Sequence, residues 1–102
     1  MAEVVVSLGA DADIGRLVDF LLEQEPSAAL AAYDLVLNGL VVLQSYPLIG
    51  RPVSDGLREL VISHGKSGYV ALYEFDARRN RVLILALRHQ REAGYVDRDQ
   101  ME

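Results

Sequence analysis

The sequence contains no cysteine, only two histidines and a single lysine among its 102 residues. Without thiols, disulfides, thiolate metal sites and a cysteine nucleophile are excluded, and two isolated histidines are too few for a structural zinc site. We therefore expect neither a metal nor a cofactor. No uninterrupted apolar run reaches the roughly 18 residues that a membrane span needs, and the first residues lack the basic start of a secretory signal. We expect a cytoplasmic protein with no membrane partner.

Apolar residues make up 51% of the chain, against 25% charged residues. This composition is that of a folded globular protein, and a chain of this length forms one core, so we predict a single domain over residues 1–102. The formal net charge of −5 is unfavourable for binding a phosphate backbone by bulk attraction. The charge is uneven, because residues 1–50 carry seven acids and one base (net −6) and residues 51–102 carry eight acids and nine bases (net +1).

The first half of the chain predicts one strand followed by a helical hairpin. Residues Glu3 to Leu8 are rich in valine and read as a strand. Asp11 or Asp13 then offers an N-cap oxygen for a helix. The apolar positions of this helix follow helical spacing: Ile14, Leu17, Val18, Leu21 and Leu22. Pro26 ends it, because the residue before a proline is disfavoured in the helical region.

The predicted second helix, residues 28–45 with Ser27 as its cap, is apolar over a wide surface. One stripe consists of Leu30, Tyr33, Leu37, Leu40 and Val41, and a second of Leu35, Val36, Val42 and Leu43. A small sheet needs less apolar surface than this. The surplus is either buried between the sheet and the first helix or forms a binding surface for another protein. A homodimer through the same helix face is compatible with the pattern.

The second half of the chain predicts three strands. A turn marked by Pro47, Gly50 and Pro52 precedes strands over residues 57–63, 69–76 and 81–89. Together with the first half, this order predicts an α+β fold, β-α-α-β-β-β, in which a small and mainly antiparallel sheet packs on the helical hairpin. A short helical turn is expected near the C-terminus.

A four-residue connection between the last two strands predicts how they pair. The expected pairs are Tyr69 with Arg88, Ala71 with Ala86, Tyr73 with Ile84, and Phe75 with Val82. The leucine-rich face of this hairpin should then lie under the helices. The opposite face, with Tyr69, Tyr73 and Arg88, is the candidate working face.

Four arginines lie beside strand ends or turns: Arg51, Arg58, Arg88 and Arg91. A guanidinium offers a planar set of donors that matches a phosphate or a carboxylate, so converging arginines would hold RNA or an acidic partner. Arg58 has an alternative role. It can satisfy backbone carbonyls, or an acid on the helical hairpin, as a structural residue.

His89 and Tyr95 are the candidates for acid–base chemistry. A metal-free ribonuclease needs a base, an acid and a cation at one phosphate. His89 or Tyr95 would supply the base or acid, and Arg58 or Arg88 the cation. Strand alternation, however, directs His89 to the side opposite Arg88.

Several segments together resemble one known family. They are Ile49-Gly50-Arg51-Pro52, Leu57-Arg58-Glu59-Leu60, Tyr69-Val70-Ala71-Leu72-Tyr73 and Leu87-Arg88-His89-Gln90-Arg91-Glu92. With the two helices before them, these segments resemble the RelE/ParE toxins of type II toxin–antitoxin modules. The resemblance runs from about Val4 to Tyr95. It implies a cognate antitoxin that wraps the hairpin and sheet, and we expect it to contact the first stripe of the second helix.

The resemblance implies two alternative targets. One branch of the family cleaves messenger RNA on the ribosome and carries several lysines and arginines on its open face, with a C-terminal tyrosine. Arg58, Arg88 and Tyr95 fit catalytic positions of that branch, but Lys66 is the single lysine here. The other branch inhibits DNA gyrase, and the acidic total favours it. In that branch Arg51, Arg58, Arg88 and Arg91 would bind the target. A non-toxic relative kept for binding is the third alternative.

Overall fold

The computed structural model describes residues 1–64, 67–92 and 94–95. Its elements are β1 (Glu3–Val6), α1 (Leu8–Gln24), α2 (Pro26–Ser45), β2 (Arg51–Ser54), β3 (Leu57–His64), β4 (Ser67–Asp76) and β5 (Arg81–His89). The strands form one sheet in the order β1-β5-β4-β3-β2. All neighbours are antiparallel except β1 and β5, which are parallel. The predicted α+β class and element order are confirmed, with β2 as an additional strand.

The start of α1 differs from the prediction. Ser7, rather than Asp11 or Asp13, caps the helix, and its hydroxyl accepts a hydrogen bond from the Ala10 N–H at 3.1 Å. Strand β1 therefore ends at Val6. A serine directly before the helix satisfies an amide that has no partner within the helix, which explains why the chain turns here.

Asp13 connects α1 to the sheet. It is buried, and its Oδ2 accepts a hydrogen bond from the backbone N–H of Leu87 at 2.8 Å. Strand β1 pairs with β5 only as far as Ile84, so among the described residues no strand borders the later part of β5 on that side. Asp13 satisfies an edge amide there, and Ser7 likewise donates its hydroxyl to the Leu85 carbonyl at 3.4 Å.

Helix α2 begins at Pro26 itself, with Glu25 as the N-cap, so the prediction of Ser27 as the cap is wrong. Proline is favoured at the first helical position because its missing N–H would have no partner there. With 20 residues and a mean hydropathy of 1.5, α2 is long and apolar enough to span a membrane by length and composition alone. Part of its apolar surface, including Leu40 and Leu43, packs in the core.

The short strand β2 joins β3 through a hairpin that was not predicted. Asp55 and Gly56 both have positive φ angles, 43° and 78°, and Ser54 pairs with Leu57. Two central residues with positive φ are the signature of the two-residue turn that Asp-Gly favours. The Asp-Gly pair was therefore a readable signal for this hairpin.

A bulge in β5 corrects the predicted pairing with β4. Tyr73 pairs with Ile84 and Phe75 with Val82, as predicted, but the register shifts between Leu72 and Tyr73. Leu85 is the extra residue, since the next pair joins Leu72 to Ala86. Beyond it Tyr69 pairs with His89 rather than with Arg88, and Ala71 with Leu87 rather than with Ala86.

The helices cover the face of the sheet that was predicted to be the working face. Tyr69, Ala71 and Tyr73 are buried in the core cluster together with residues of α1 and α2. Within the bulged strand, Val82, Ile84 and Leu87 share this buried face. The prediction failed because both faces of β4 and β5 are apolar, so composition did not distinguish them.

Candidate functional site

The loop between α2 and β2 is fixed by Tyr73. Its buried hydroxyl donates to the Pro47 carbonyl at 2.8 Å and accepts from the Gly50 N–H at 2.9 Å. A Cβ on Gly50 would lie 2.7 Å from both the Tyr73 hydroxyl and the Glu59 carbonyl oxygen. Glycine is thus required at this position by the close approach of strand and side chain.

Arg58 fixes the same loop from the helix side of the sheet. It pairs with Tyr73 across β3 and β4, so the two side chains share that side. Its Nη1 donates to the carbonyls of Gly50 at 2.7 Å and Leu48 at 3.2 Å. Arg58 therefore has the structural role of satisfying backbone carbonyls. It lies on the side of the sheet opposite Arg88.

The opposite side of the sheet, here called the open face because neither helix packs on it, carries a connected polar network. It is marked by Glu59, Leu72, Ala86 and Arg88, on β3, β4 and β5. Glu59 is 8% exposed, and both its carboxylate oxygens are engaged. Oε1 accepts from Arg51 Nη2 at 2.8 Å, and Oε2 accepts from the Tyr95 hydroxyl at 2.6 Å.

Arg88 completes this network. Its Cζ lies 5.2 Å from the centre of the Tyr95 ring, a cation–π contact. Its Nη1 also donates to the carbonyls of His89, Gln90 and Glu92 at 3.3 to 3.4 Å, which holds the turn after β5. The turn itself is closed by the Glu92 N–H on the His89 carbonyl at 3.0 Å. The helical turn predicted near the C-terminus falls largely outside the described residues. Residues from 96 onward lie outside the described part of the chain.

The network shifts the pKa values of two of its members, Glu59 and Tyr95. The Tyr95 hydrogen bond and the Arg51 guanidinium lower the pKa of Glu59 below its ordinary value of 4.5, against the opposing effect of burial. Burial and the neighbouring Glu59 carboxylate raise the pKa of Tyr95 far above its ordinary value. At neutral pH Tyr95 therefore keeps its proton and Glu59 is charged.

His89 lies on the helix side, as alternation predicted. Its ring packs edge-on against Tyr69 with centroids 5.4 Å apart, and its Nδ1 accepts the Arg91 N–H at 3.1 Å. Together with α1 these residues line a groove of about 640 Å³. The Arg91 side chain is exposed at the rim of this groove. Arg16 also lines it and forms an ion pair with Glu92 at 3.2 Å.

The predicted binding stripe of α2 is largely exposed. Leu30 is 71% exposed, and Tyr33, Leu37 and Val41 also count among the large apolar side chains that face solvent. Leu40 is 3% exposed and packs in the core, so its assignment to the stripe is corrected. The four exposed residues, here called the α2 stripe, offer a partner an apolar surface at helical spacing.

The geometry thus divides the predicted site residues between two sides. Arg51, Arg88 and Tyr95 meet on the open face, whereas Arg58 and His89 lie on the helix side. Glu59, which was not among the predicted site residues, links the first group by hydrogen bonds to Arg51 and Tyr95. An acid inside a predicted strand was the signal that could have drawn attention to it, because an unpaired buried charge is costly.

Comparisons with known proteins agree on one family. The model for the ParE toxin of the type II toxin–antitoxin system, parDE, matches residues 4–94. A curated relative, Toxin RelE3 of Caulobacter vibrioides, is 36% identical over 92 residues, which cover 90% of this chain and 98% of the relative. Toxin RelE1 of the same organism is 39% identical over 70 residues, covering 69% and 75%.

Solved structures share the fold. A chain of the chromosomal ParDE system from P. aeruginosa superposes with a TM-score of 0.74 at 22% identity, covering 87% of this chain and 96% of that one. A chain of the RelBE2 toxin–antitoxin complex from Mycobacterium tuberculosis gives a TM-score of 0.59 at 23% identity, covering 87% and 98%. At such identities the likeness concerns the fold alone.

Proposed function

The chain belongs to the ParE toxin family of type II toxin–antitoxin systems, and from this premise we propose that it arrests growth by binding and inhibiting DNA gyrase. The proposed setting is the cytoplasm, where this target acts. A cognate antitoxin is its partner. The choice of gyrase as the target rests on one observation: the Tyr95 hydroxyl and the Arg88 guanidinium already bind groups within the chain.

Ribonuclease chemistry needs a base, an acid and a cation around one phosphate. Here the Tyr95 hydroxyl donates to Glu59, and its raised pKa opposes ionisation. The guanidinium of Arg88 holds three carbonyls of its own turn. His89 and Arg58 lie on the other side of the sheet. This distribution favours protein binding over RNA cleavage.

Target binding is assigned to exposed arginines. The Arg51 side chain is 71% exposed although it is paired with Glu59, and Arg91 is exposed on the turn after β5. Arginines at such positions suit contacts with a protein surface, where they are enriched among the residues that dominate binding. Arg88 takes part by holding the turn that carries Arg91.

The α2 stripe is the surface we assign to the antitoxin. An amphipathic segment of a partner recognises such a surface by placing apolar side chains against residues spaced along one helix face. This assignment also explains why α2 is more apolar than its packing in the core requires.

The test uses expression of the chain without antitoxin, with plasmid topology and total RNA read from the same cells. Growth arrest with relaxed or cleaved plasmid and intact messages is expected. The purified protein should also inhibit supercoiling by gyrase. Arg51→Ala and Arg91→Ala should each raise the inhibitory concentration by about tenfold, as loss of an important contact does. Arg79→Ala, at the exposed hairpin between β4 and β5, is the control and should leave it unchanged.

The alternative is a ribosome-dependent ribonuclease, the other target that the resemblance implies. It predicts fragmented messages with normal plasmid topology, and cleavage that is lost in Arg88→Ala and Tyr95→Phe. Unaffected gyrase at high toxin excess would count against the proposed target. Normal growth would instead identify a non-toxic relative.

A further inference from the structure

We infer that Glu59 is a specificity-determining residue that keeps nucleic acid off the open face. The inference rests on the proposed function, since it explains how a family shared by two kinds of toxin is restricted here to a protein target. It concerns a residue to which the resemblance assigned no role.

Glu59 lies among the arginines of the open face. Glu59 lies on β3, in the interior of the five-stranded sheet, and its carboxylate is the only buried acid on the open face among the described residues. It contacts Arg51 directly and reaches Arg88 through the Tyr95 ring. One carboxylate therefore sits between two of the arginines that could bind phosphate.

The negative charge of Glu59 opposes the approach of a phosphate. Glu59 is ionised at neutral pH, because its pKa is lowered by Tyr95 and by the arginines around it. A phosphate approaching Arg51 or Arg88 would meet this fixed negative charge at close range. Repulsion between like charges in a poorly hydrated site is stronger than in water. Glu74 adds a second carboxylate to the same face, but it is exposed and its charge is screened by solvent.

Glu59 also occupies donor groups that a phosphate would need. A guanidinium binds a phosphate best with its planar set of donors free. The Glu59 carboxylate already takes Arg51 Nη2 at 2.8 Å, and it takes the Tyr95 hydroxyl that would otherwise be free to donate to a phosphate oxygen. Loss of this one charge would weaken the hold on both donors at once.

The test measures binding of a short fluorescein-labelled oligouridylate by fluorescence anisotropy at several salt concentrations. The unmodified protein should show no saturable binding. E59Q should bind, and its affinity should fall about sevenfold between 50 and 200 mM salt, the dependence expected for about two neutralised phosphates on a single strand. E59Q combined with Arg51→Gln should lose at least about half of this salt slope.

E74Q is the matched control, because it removes the same charge from the same face without touching the network. Equal gains in E59Q and E74Q would reduce the effect to net charge and overturn the inference. Salt-dependent binding by the unmodified protein would also overturn it, and that measurement does not depend on whether E59Q folds. The gyrase assay is independent. If gyrase is not inhibited but E59Q alone binds the oligouridylate, the proposed target is wrong and the role of Glu59 stands.

Discussion

Tyr95 and Glu59, which lie 36 residues apart in the sequence, are joined by a 2.6 Å hydrogen bond from phenol to carboxylate. This contact holds the end of the described chain against the open face. Tyr95→Phe removes the donor and should lower the free energy of unfolding by about 1.5–3 kcal/mol, as for other hydrogen bonds to charged groups. Denaturant titration measures it. Tyr46→Phe, at an exposed tyrosine, should change stability by less than about 0.5 kcal/mol.

Acid stability should depend on Glu59. Because its folded pKa lies below the ordinary value of 4.5, its ionisation contributes stability that is present above about pH 4.5 and is lost as the pH falls through the folded pKa. The free energy of unfolding of E59Q should therefore change less across this acidic range than that of the unmodified protein. Parallel curves for the two proteins would contradict the network.

Asp13 should be a major contributor to stability. Asp13→Ala leaves the buried N–H of Leu87 without its acceptor and should cost about 1.5–3 kcal/mol. Asp19→Ala, an exposed change on the same helix, should cost less than about 0.5 kcal/mol. Thermal and denaturant unfolding of the two variants would separate them, and similar losses would show that the buried contact is unimportant.

Two glycines should respond in opposite directions to alanine. Gly50→Ala places a methyl group 2.7 Å from backbone and side-chain atoms and should destabilise by about 1–3 kcal/mol. Gly15 lies in α1 with nothing within 4 Å of the added carbon. Gly15→Ala should stabilise by about 0.5–1 kcal/mol, because alanine loses less conformational entropy in a helix. The midpoints of denaturant unfolding give both signs.

The α2 stripe should bind the antitoxin without supporting the fold. Leu30→Asp should weaken binding to the product of the adjacent gene by about tenfold or more in isothermal titration, with little change in stability. Leu40→Ala should instead lower stability by about 2–5 kcal/mol. Leu8→Asp, at an exposed leucine of α1, is the control for added charge. Unchanged affinity in Leu30→Asp would show that the antitoxin binds another surface.

Local patterns predicted the elements well but not the sides of the sheet. Helical periodicity located α1, and Pro26 marked the boundary between the two helices. The side of each residue in β5 depends on the bulge at Leu85, which reverses the alternation for the residues that follow. Nothing in an apolar run of valine and leucine marks such a bulge.

The site was predicted only in part for a similar reason. Residue type identified Arg51, Arg88 and Tyr95, which do meet on the open face. The role of Arg58 depends on carbonyls of a loop brought close by tertiary structure, and Glu59 acquires its partners from β2 and from the end of the described chain. Such long-range pairings are not visible in local sequence.

Both edges of the sheet are built in a way that discourages strand-to-strand aggregation. The edge strands β1 and β2 are only four residues long. Pro52 lies in β2, and the pairing of that strand is irregular beside it, while the uncovered length of β5 is capped by Ser7 and Asp13. Short strands, prolines and bulges are the features by which natural sheets avoid adding foreign strands. The sheet edges of this chain therefore add little to the risk of association that the exposed α2 stripe carries.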